Sequence, residues 1–442
     1  MSEAVRLERS EIASLEKRTV SKVFRRLIPF LVLLYIVAFL DRVNVGYAAL
    51  SMNKALNFSN AVYGLGAGIF FIGYFIMEIP GNLILTKVGA RMWLARILVS
   101  WGIISSLTAW VSTPMEFYLV RFFLGVAEAS FFPGVIYYLG TWCRAQDQAK
   151  AVALFMMALP VCNMLGAAIS TYILGITWLG WTGWKWLFIL EAIPAVILGV
   201  VTPFYLTNRP SEARWLNDDE RNWLIKAIED ESAKKVERKK YTLTQAFADR
   251  DVILLAFAYF FWMCGFYGLG LFLPILVKGL STALTNQLVG LIIMIPYLFA
   301  FIAMYIVGKS SDRTGERRRH AIFGMVLGAI GLSGSVMFSD KSVFVSMVFF
   351  TLAVMGTYSS FGPFWAIPNS FLTASVAAGA IAMINSIGNL GGFVGPYAMG
   401  YIREATESFT GGIMFLVSCL LLAAVLLASL RKAAQRVPQI TT

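Results

Sequence analysis

The sequence predicts an all-α integral membrane protein of twelve transmembrane helices, arranged as two pseudo-symmetric six-helix bundles. Hydrophobic residues make up 58% of the 442 residues and charged residues only 14%, whereas soluble domains carry about 25% charged residues. The apolar residues gather into runs of about 20, the length that crosses a bilayer as a helix. A short motif also recurs at equal spacing in the two halves of the chain.

Twelve apolar runs of spanning length follow one another along the chain. They lie at residues 27–50, 62–85, 92–112, 115–140, 150–176, 185–206, 250–277, 287–308, 318–338, 343–366, 378–402 and 411–430. A polar segment separates the first six runs from the last six. The expected organisation is a cytoplasmic N-terminal segment at 1–26, bundles at 27–206 and 250–430, a central cytoplasmic loop at 207–249 and a cytoplasmic tail at 431–442.

The central loop contains one predicted helix. Asn217 is a favourable N-cap, and the acidic residues 218–220 follow it in the first turn, where they complement the helix dipole. Apolar residues between Trp223 and Ile228 then recur at helical spacing. This pattern predicts an amphipathic helix lying at the membrane interface.

The distribution of Lys and Arg predicts the orientation. One side of the predicted topology carries 30 of these residues and the other side 5, and positively charged loops stay in the cytoplasm. Both termini are therefore expected in the cytoplasm of a bacterium, with the helices in its inner membrane. Because the net charge of +12 follows the topology, we expect no nucleic-acid partner.

Metal and redox chemistry find no support in the sequence. The four cysteines are scattered without the spacing of metal or redox sites, and His320 is the single histidine. We therefore expect no metal and no cofactor. The sequence also contains no pattern of a nucleophile and a base that would indicate an enzyme.

The recurring motif lies after the second run of each half. The first copy contains Lys87, Gly89 and Arg91, and the second contains Gly308, Asp312, Arg313, Gly315 and Arg317. The paired positions share one offset of 226 residues, which favours an internal repeat of the kind common in transporters. Two unrelated basic turns are the alternative.

The complete second copy, G-x-x-x-D-R-x-G-x-R-R, together with twelve spans in two halves, resembles the major facilitator superfamily. The first copy departs from it, with Asn82 for glycine and Thr86 for aspartate. Segments 40–44, 121–128, 184–191 and 385–392 are similar to the anion:cation symporter family, whose members carry sugar acids, tartrate, phthalate and hydroxyphenylacetate. The resemblance implies that both motif copies control conformational gating.

Six charged residues lie in the interior of predicted spans, away from the span ends, where a charge costs about 2.5–3.5 kcal/mol on insertion scales. They are Asp41, Arg42, Glu78, Arg121, Glu128 and Glu191. The central portions of spans 7 to 12 contain none. Any proton chemistry is therefore expected in the first half.

Depth along the helices predicts which charges meet. Asp41 and Arg121 each lie about 9 Å below the outer face, so we expect them to form a pair that a proton could switch. Glu128 follows Arg121 by seven residues on the same helical face, nearer the midplane. A static salt-bridge cluster is the alternative. Structural roles are favoured for Glu78, near Pro80, and for Glu191.

The resemblance implies that Asp41 and Glu128 carry protons and that Arg42 holds the substrate anion, whereas neutralisation of a carboxylate is the alternative role of Arg42. The predicted substrate site comprises Arg42, Tyr74, Arg121, Tyr267, Trp365 and Asn385. Ordinary helix packing is the alternative for the neutral members.

The expected function is proton-coupled uptake of a small organic anion by alternating access. The anion would be a sugar acid, a tartrate-like hydroxy acid or an aromatic carboxylate, and the partners of the expected monomer are this carboxylate, protons and the lipid bilayer. Sodium coupling, anion exchange or a non-transporting anion sensor are alternatives. Drug export is disfavoured, because the glycine-proline run 391–396 lies in span 11 rather than span 5.

The topology is testable with reporter fusions. Fusions after Arg26, between residues 231 and 238 and at Arg436 should report a cytoplasmic location, and fusions near Lys54 and Lys341 the opposite side. One reproducible inversion would contradict the number of spans.

Overall fold

The computed structural model describes residues 3–236, 249–339, 341–368 and 374–431. The α-helices are α1 (Glu3–Leu56), α2 (Asn60–Val88), α3 (Ala90–Leu107), α4 (Pro114–Glu128), α5 (Phe131–Trp142), α6 (Ala145–Met156), α7 (Ala158–Ile173), α8 (Gly183–Tyr205), α9 (Asp218–Val236), α10 (Arg250–Gly279), α11 (Asn286–Thr314), α12 (Arg318–Phe338), α13 (Val343–Ser359), α14 (Phe361–Ala366), α15 (Ala374–Asn389), α16 (Gly391–Thr406) and α17 (Phe409–Ala428). Much of the predicted central loop and nearly all of the predicted tail, 431–442, lie outside the described residues.

These helices form the all-α membrane fold that the sequence predicts. Eleven spans within the described ranges are long and apolar enough to cross a bilayer. The predicted span at 378–402 corresponds to the consecutive helices α15 and α16, which meet at Leu390. The predicted N-terminal segment and the first span form one helix, α1, of 54 residues.

The loops lie on two faces of the protein. On one face, which we call the basic face, Glu16 of α1 forms an ion pair with Arg144 of the loop between α5 and α6. On the opposite face, Glu404 of α16 accepts a hydrogen bond from the Ala61 backbone at the start of α2 (3.1 Å). The two halves of the chain meet between these faces.

The fourth span is broken where it carries Glu128. Helix α4 ends at this residue, and Ser130 has a left-handed backbone with φ of 73°. The Ser130 hydroxyl donates to the Glu78 carbonyl of α2 (3.1 Å). A Cβ at Gly125 would lie 1.9 Å from the Phe70 carbonyl oxygen, so α2 and α4 touch through their backbones. This contact fixes the end of α4 against α2.

Near the opposite face, glycine residues allow α2 of the first half and α16 of the second half to pack closely. A Cβ at Gly64 of α2 would lie 2.5 Å from the Pro396 carbonyl oxygen of α16, and one at Gly400 would lie 2.2 Å from that of Asn60. Real Cβ atoms do not approach so closely, so the backbones pack as only glycine permits. We call the contact of Gly64 and Gly400 with the facing helix the glycine seal.

The predicted central helix is present as α9, and its N-terminus is capped as expected. Asn217 and Glu220 exchange backbone-to-side-chain hydrogen bonds of 2.9 and 3.1 Å. Leu224 is buried, and α9 packs on α1 and α5. The protein itself therefore covers the Leu224 side chain, and the position of α9 at the membrane interface stays a prediction.

Both copies of the recurring motif end a helix at a glycine of positive φ. Gly89 follows α2 with φ of 91°, and Gly315 follows α11 with φ of 69°. L-residues with a Cβ rarely adopt these conformations. Arg317 forms an ion pair with Asp312 across the second turn. The shared backbone geometry supports the internal repeat.

Candidate functional site

Arg42 lies at the centre of the site and contacts both halves of the protein. Its Nε donates to Glu128 Oε1 (3.0 Å), and its Nη2 forms an ion pair with the same oxygen. Its Nη1 donates to the Tyr267 hydroxyl of α10 (3.2 Å). The guanidinium also lies 5.4 Å from the ring centres of Phe70 and Tyr74. These contacts hold a cation against aromatic faces.

Glu128 is buried at the broken end of α4, with a side-chain exposure of 1%. Its Oε1 accepts both bonds from Arg42, while its Oε2 is buried and has no hydrogen-bond partner among the described residues. The partner cation comes from α1. The ion pair of the site is therefore formed by Glu128 and Arg42, whereas depth alone predicted a pair of Asp41 with Arg121.

Asp41 faces α3, and the expectation that it faces Arg121 is wrong for the described structure. Its carboxylate accepts hydrogen bonds from Trp101 Nε1 (2.7 Å), the Ser105 hydroxyl (3.0 Å) and the Asn44 amide (3.2 Å). Equal depth places two residues at one level but does not make them face each other. Asp41 is thus a buried carboxylate held by neutral donors.

Arg121 is buried beside the site and makes no ion-pair contact among the described residues. None of its three guanidinium nitrogens has a hydrogen-bond partner among the described residues. The guanidinium carbon lies 5.0 Å from the centre of the Phe70 ring. A buried cation of this kind favours negative charge nearby, because desolvation is costly without a counter-ion.

A small cavity of about 50 Å³ lies beside Arg42 between the two halves. It is lined by Tyr35, Phe39, Arg42, Tyr74, Phe131, Phe132, Met156, Leu159, Tyr259, Met263, Phe266, Tyr267, Phe361, Trp365, Asn385 and Asn389. Five of the six predicted substrate residues therefore come together, and Arg121 is the exception. Tyr259, which sequence reasoning did not single out, packs its ring 5.0 Å from Trp365.

Glu78 joins the two halves on the basic side of the cavity. Its Oε1 accepts a hydrogen bond from the Asn385 amide (2.7 Å), and its Oε2 accepts one from the Ser386 hydroxyl (2.8 Å). The carboxylate is buried. Sequence reasoning favoured a structural role for Glu78, and its partners lie more than 300 positions away, where no spacing rule could find them. We call this contact the Glu78 latch.

Glu191 is buried within the first half. Its Oε1 accepts a hydrogen bond from the Ser170 hydroxyl (2.7 Å), which connects α8 to α7. This contact agrees with the structural role favoured from the sequence.

Contacts between the two halves lie on both sides of a small cavity. Ligand pockets usually measure about 300–1,000 Å³, so a cavity of about 50 Å³ is contracted. The glycine seal packs the halves together toward the opposite face, and the Glu78 latch holds them together toward the basic face. Separation of the halves on either side would enlarge the cavity.

Comparison with known proteins identifies the family. Residues 31–396 match the sequence model of the Major Facilitator Superfamily. The chain belongs to this superfamily. A "Putative tartrate transporter" of Agrobacterium vitis is 47% identical over 96% of this chain and 96% of its own length. The "Quinolone resistance transporter" of Acinetobacter baumannii is 38% identical over 91% of this chain and 92% of its own length.

The fold of the superfamily is also seen in solved structures. A D-xylose-proton symporter is 17% identical, covers 92% of this chain and 97% of its own, and superposes with a TM-score of 0.74. As a member of the Major Facilitator Superfamily, the protein is a membrane transporter and not an enzyme.

The Glu78 latch generates a testable prediction. Glu78→Ala should open the basic side of the cavity, because it removes two hydrogen bonds to a buried carboxylate, each worth about 1.5–3 kcal/mol. A cysteine introduced at Met156, which lines the cavity, should then react at least about tenfold faster with a hydrophilic thiol reagent, since about 1.4 kcal/mol is tenfold.

Glu191→Ala is the matched control. It also removes a buried, hydrogen-bonded carboxylate, but one whose described hydrogen bond lies within a single half, so labelling at residue 156 should stay unchanged. The cysteine at position 156 could instead react at the same rate with Glu78 present and in Glu78→Ala. That result would show that the Glu78 latch does not close the cavity.

Proposed function

We propose that the protein is a proton-coupled symporter that takes up a small carboxylate through the bacterial inner membrane, with both termini in the cytoplasm. The observation that carries this proposal is the ion pair between Arg42 and Glu128 beside a cavity that both halves line. The relative named as a tartrate transporter supports the substrate class. The resemblance to anion:cation symporters points the same way.

Proton binding at Glu128 would release Arg42 for the substrate. While Glu128 is ionised, its Oε1 takes both the Nε and Nη2 hydrogens of Arg42. A proton on Glu128 removes the charge that holds the guanidinium, and a substrate carboxylate can then replace it. Arginine stays charged and binds a carboxylate through two parallel hydrogen bonds. One proton and one carboxylate thus enter the site together.

A bound substrate would alter two contacts between the halves, the one made by Arg42 and the Glu78 latch. Arg42 belongs to the first half and donates to Tyr267 of the second. Asn385 lines the cavity while bonding Glu78, so a substrate that recruits this amide competes with the latch. Binding would therefore change the contacts that hold the basic side closed, as alternating access requires.

Asp41 and Arg121 do not form a pair in this proposal. Each instead influences proton and substrate binding at the site. Asp41 is buried with three neutral donors, so it can hold a proton without a cation leaving it. Arg121 is buried beside the site, and its guanidinium has no hydrogen-bond partner among the described residues. In this arrangement Arg121 contributes a positive potential that favours the anion.

Export of an aromatic carboxylate is a second candidate function. Ten aromatic side chains line the cavity, and one relative is named for quinolone resistance. Oriented vesicles distinguish the directions, because an exporter accumulates its substrate when the proton gradient is reversed relative to an uptake symporter. The same assay tests sodium coupling, anion exchange and a sensor that moves nothing.

Proton coupling is tested with Glu128→Gln in proteoliposomes. Tartrate, chosen as the probe, should no longer accumulate against its gradient when pH is lower outside, because the amide cannot cycle a proton. Exchange of tartrate for tartrate should persist within about tenfold of the parent rate. Glu191→Gln, which changes another buried carboxylate, should accumulate tartrate normally. Gradient-driven accumulation by Glu128→Gln would remove this residue from the coupling mechanism.

Substrate charge is tested with Arg42→Lys. The ammonium lacks the planar fork, so affinity for the transported carboxylate should fall at least about tenfold, or about 1.4 kcal/mol. The amount and monodispersity of purified protein should not change. The uncharged amide of the substrate should fail to compete in the unsubstituted protein. Effective competition by the amide, or unchanged affinity in Arg42→Lys, would contradict a carboxylate-binding Arg42.

A further inference from the structure

A second, larger cavity lies on the basic face, away from the transport site. Its volume is about 660 Å³. It is bounded by the N-terminal part of α1, the end of α8 and the segment that leads into α9, and is lined by Arg18, Ser21, Lys22, Arg25, Arg26, Tyr205, Trp215 and Glu220. Neither proton coupling nor carboxylate binding at Arg42 uses these residues.

The cavity has an excess of positive charge. Four cationic side chains line it against one carboxylate. Glu220 is paired with Arg18 (3.2 Å) and Lys22 (2.8 Å). Burial raises the pKa of Glu220, but the hydrogen bonds from Lys22 and the Asn217 backbone outweigh it and hold the pKa below its ordinary value. Glu220 is thus ionised at neutral pH and compensates only part of the positive charge.

Arg25 and Arg26 are left with no ion pair among the described side chains. The guanidinium of Arg26 lies 4.9 Å from the Tyr205 ring centre and 5.1 Å from that of Trp215. Its Nε is buried without a hydrogen-bond partner in the described part of the chain. Tyr205 is itself fixed, because its hydroxyl donates to the Arg26 carbonyl (3.0 Å). Aromatic rings therefore hold in place a guanidinium that has no acceptor among the described residues.

The position of the cavity indicates where an acceptor would come from. Arg26 directly precedes Leu27, the first residue of the apolar run, so the cavity lies at the level of lipid headgroups. On α8, whose last residue Tyr205 lines the cavity, the exposed side chains of Ile197, Val200 and Phe204 recur at helical spacing. An acyl chain can lie along this strip while a headgroup reaches the cations.

We propose that this cavity binds the phosphate group of an anionic membrane lipid through Arg25 and Arg26. A phosphodiester stays negatively charged at neutral pH, and its oxygens accept the parallel N–H donors of a guanidinium. Basic pockets on the cytoplasmic side of membrane proteins suit such headgroups. The lipid phosphate would neutralise the positive charge that Glu220 does not compensate. It would thereby join α1, α8 and the segment before α9.

The test uses the full-length protein, purified in detergent and delipidated, with thermal unfolding and direct binding as readouts. Dioleoyl-phosphatidylglycerol is titrated in one arm, dioleoyl-phosphatidylcholine in a second and inorganic phosphate in a third. Phosphatidylglycerol should bind saturably and raise the unfolding temperature, and phosphatidylcholine should bind at least tenfold more weakly. Arg25→Gln, whose side chain is exposed, should weaken phosphatidylglycerol binding severalfold, and Arg26→Gln at least tenfold.

Arg319→Gln is the control, because it removes an exposed cation of the basic face that does not line the cavity. It should bind phosphatidylglycerol like the unsubstituted protein. Equal protection by inorganic phosphate would overturn the lipid as occupant in favour of a soluble phosphate. Phosphatidylglycerol binding that is unchanged in both Arg25→Gln and Arg26→Gln, or reduced equally in Arg319→Gln, would overturn the site itself.

Discussion

The ion pair between Arg42 and Glu128 is the contact on which the rest of the site depends. Both partners are largely removed from water, and a buried charge left without its partner destabilises a protein by about 3–5 kcal/mol. The pair exists because α4 ends at Glu128 and because α2 holds that end through backbone contact at Gly125. The fold thus places a carboxylate that can release a proton next to a cation that cannot.

The two closures of the cavity have different physical character. The glycine seal is a contact between two backbones, and its stability comes from close packing. The Glu78 latch consists of hydrogen bonds to one carboxylate, so a proton or a competing ligand can weaken it directly. The two contacts therefore differ in what can weaken them, namely a change of charge or a competing ligand at the latch and a change of packing at the seal.

Hydropathy predicted the membrane fold and the spans, because each span satisfies its own backbone and must be apolar over its own length. The in-span charges likewise pointed to the candidate site, since a charge inside a bilayer is costly and is rarely kept without a role. Partner choice was less predictable. Depth suggested Asp41 with Arg121, but the direction of a side chain around its helix depends on packing, and Asp41 faces Trp101 on α3. A long-range partner, such as the Asn385 amide that donates to Glu78, leaves no local pattern in the sequence.

The glycine seal has a consequence for energy conservation. A chain of hydrogen-bonded water molecules conducts protons, and a single water needs a void of at least about 10–15 Å³. Where a Cβ would lie 2.2 Å from a facing carbonyl oxygen there is no such void. The missing side chains at Gly64 and Gly400 therefore let the two backbones meet without room for a water molecule, so this contact itself cannot carry a chain of proton-conducting waters.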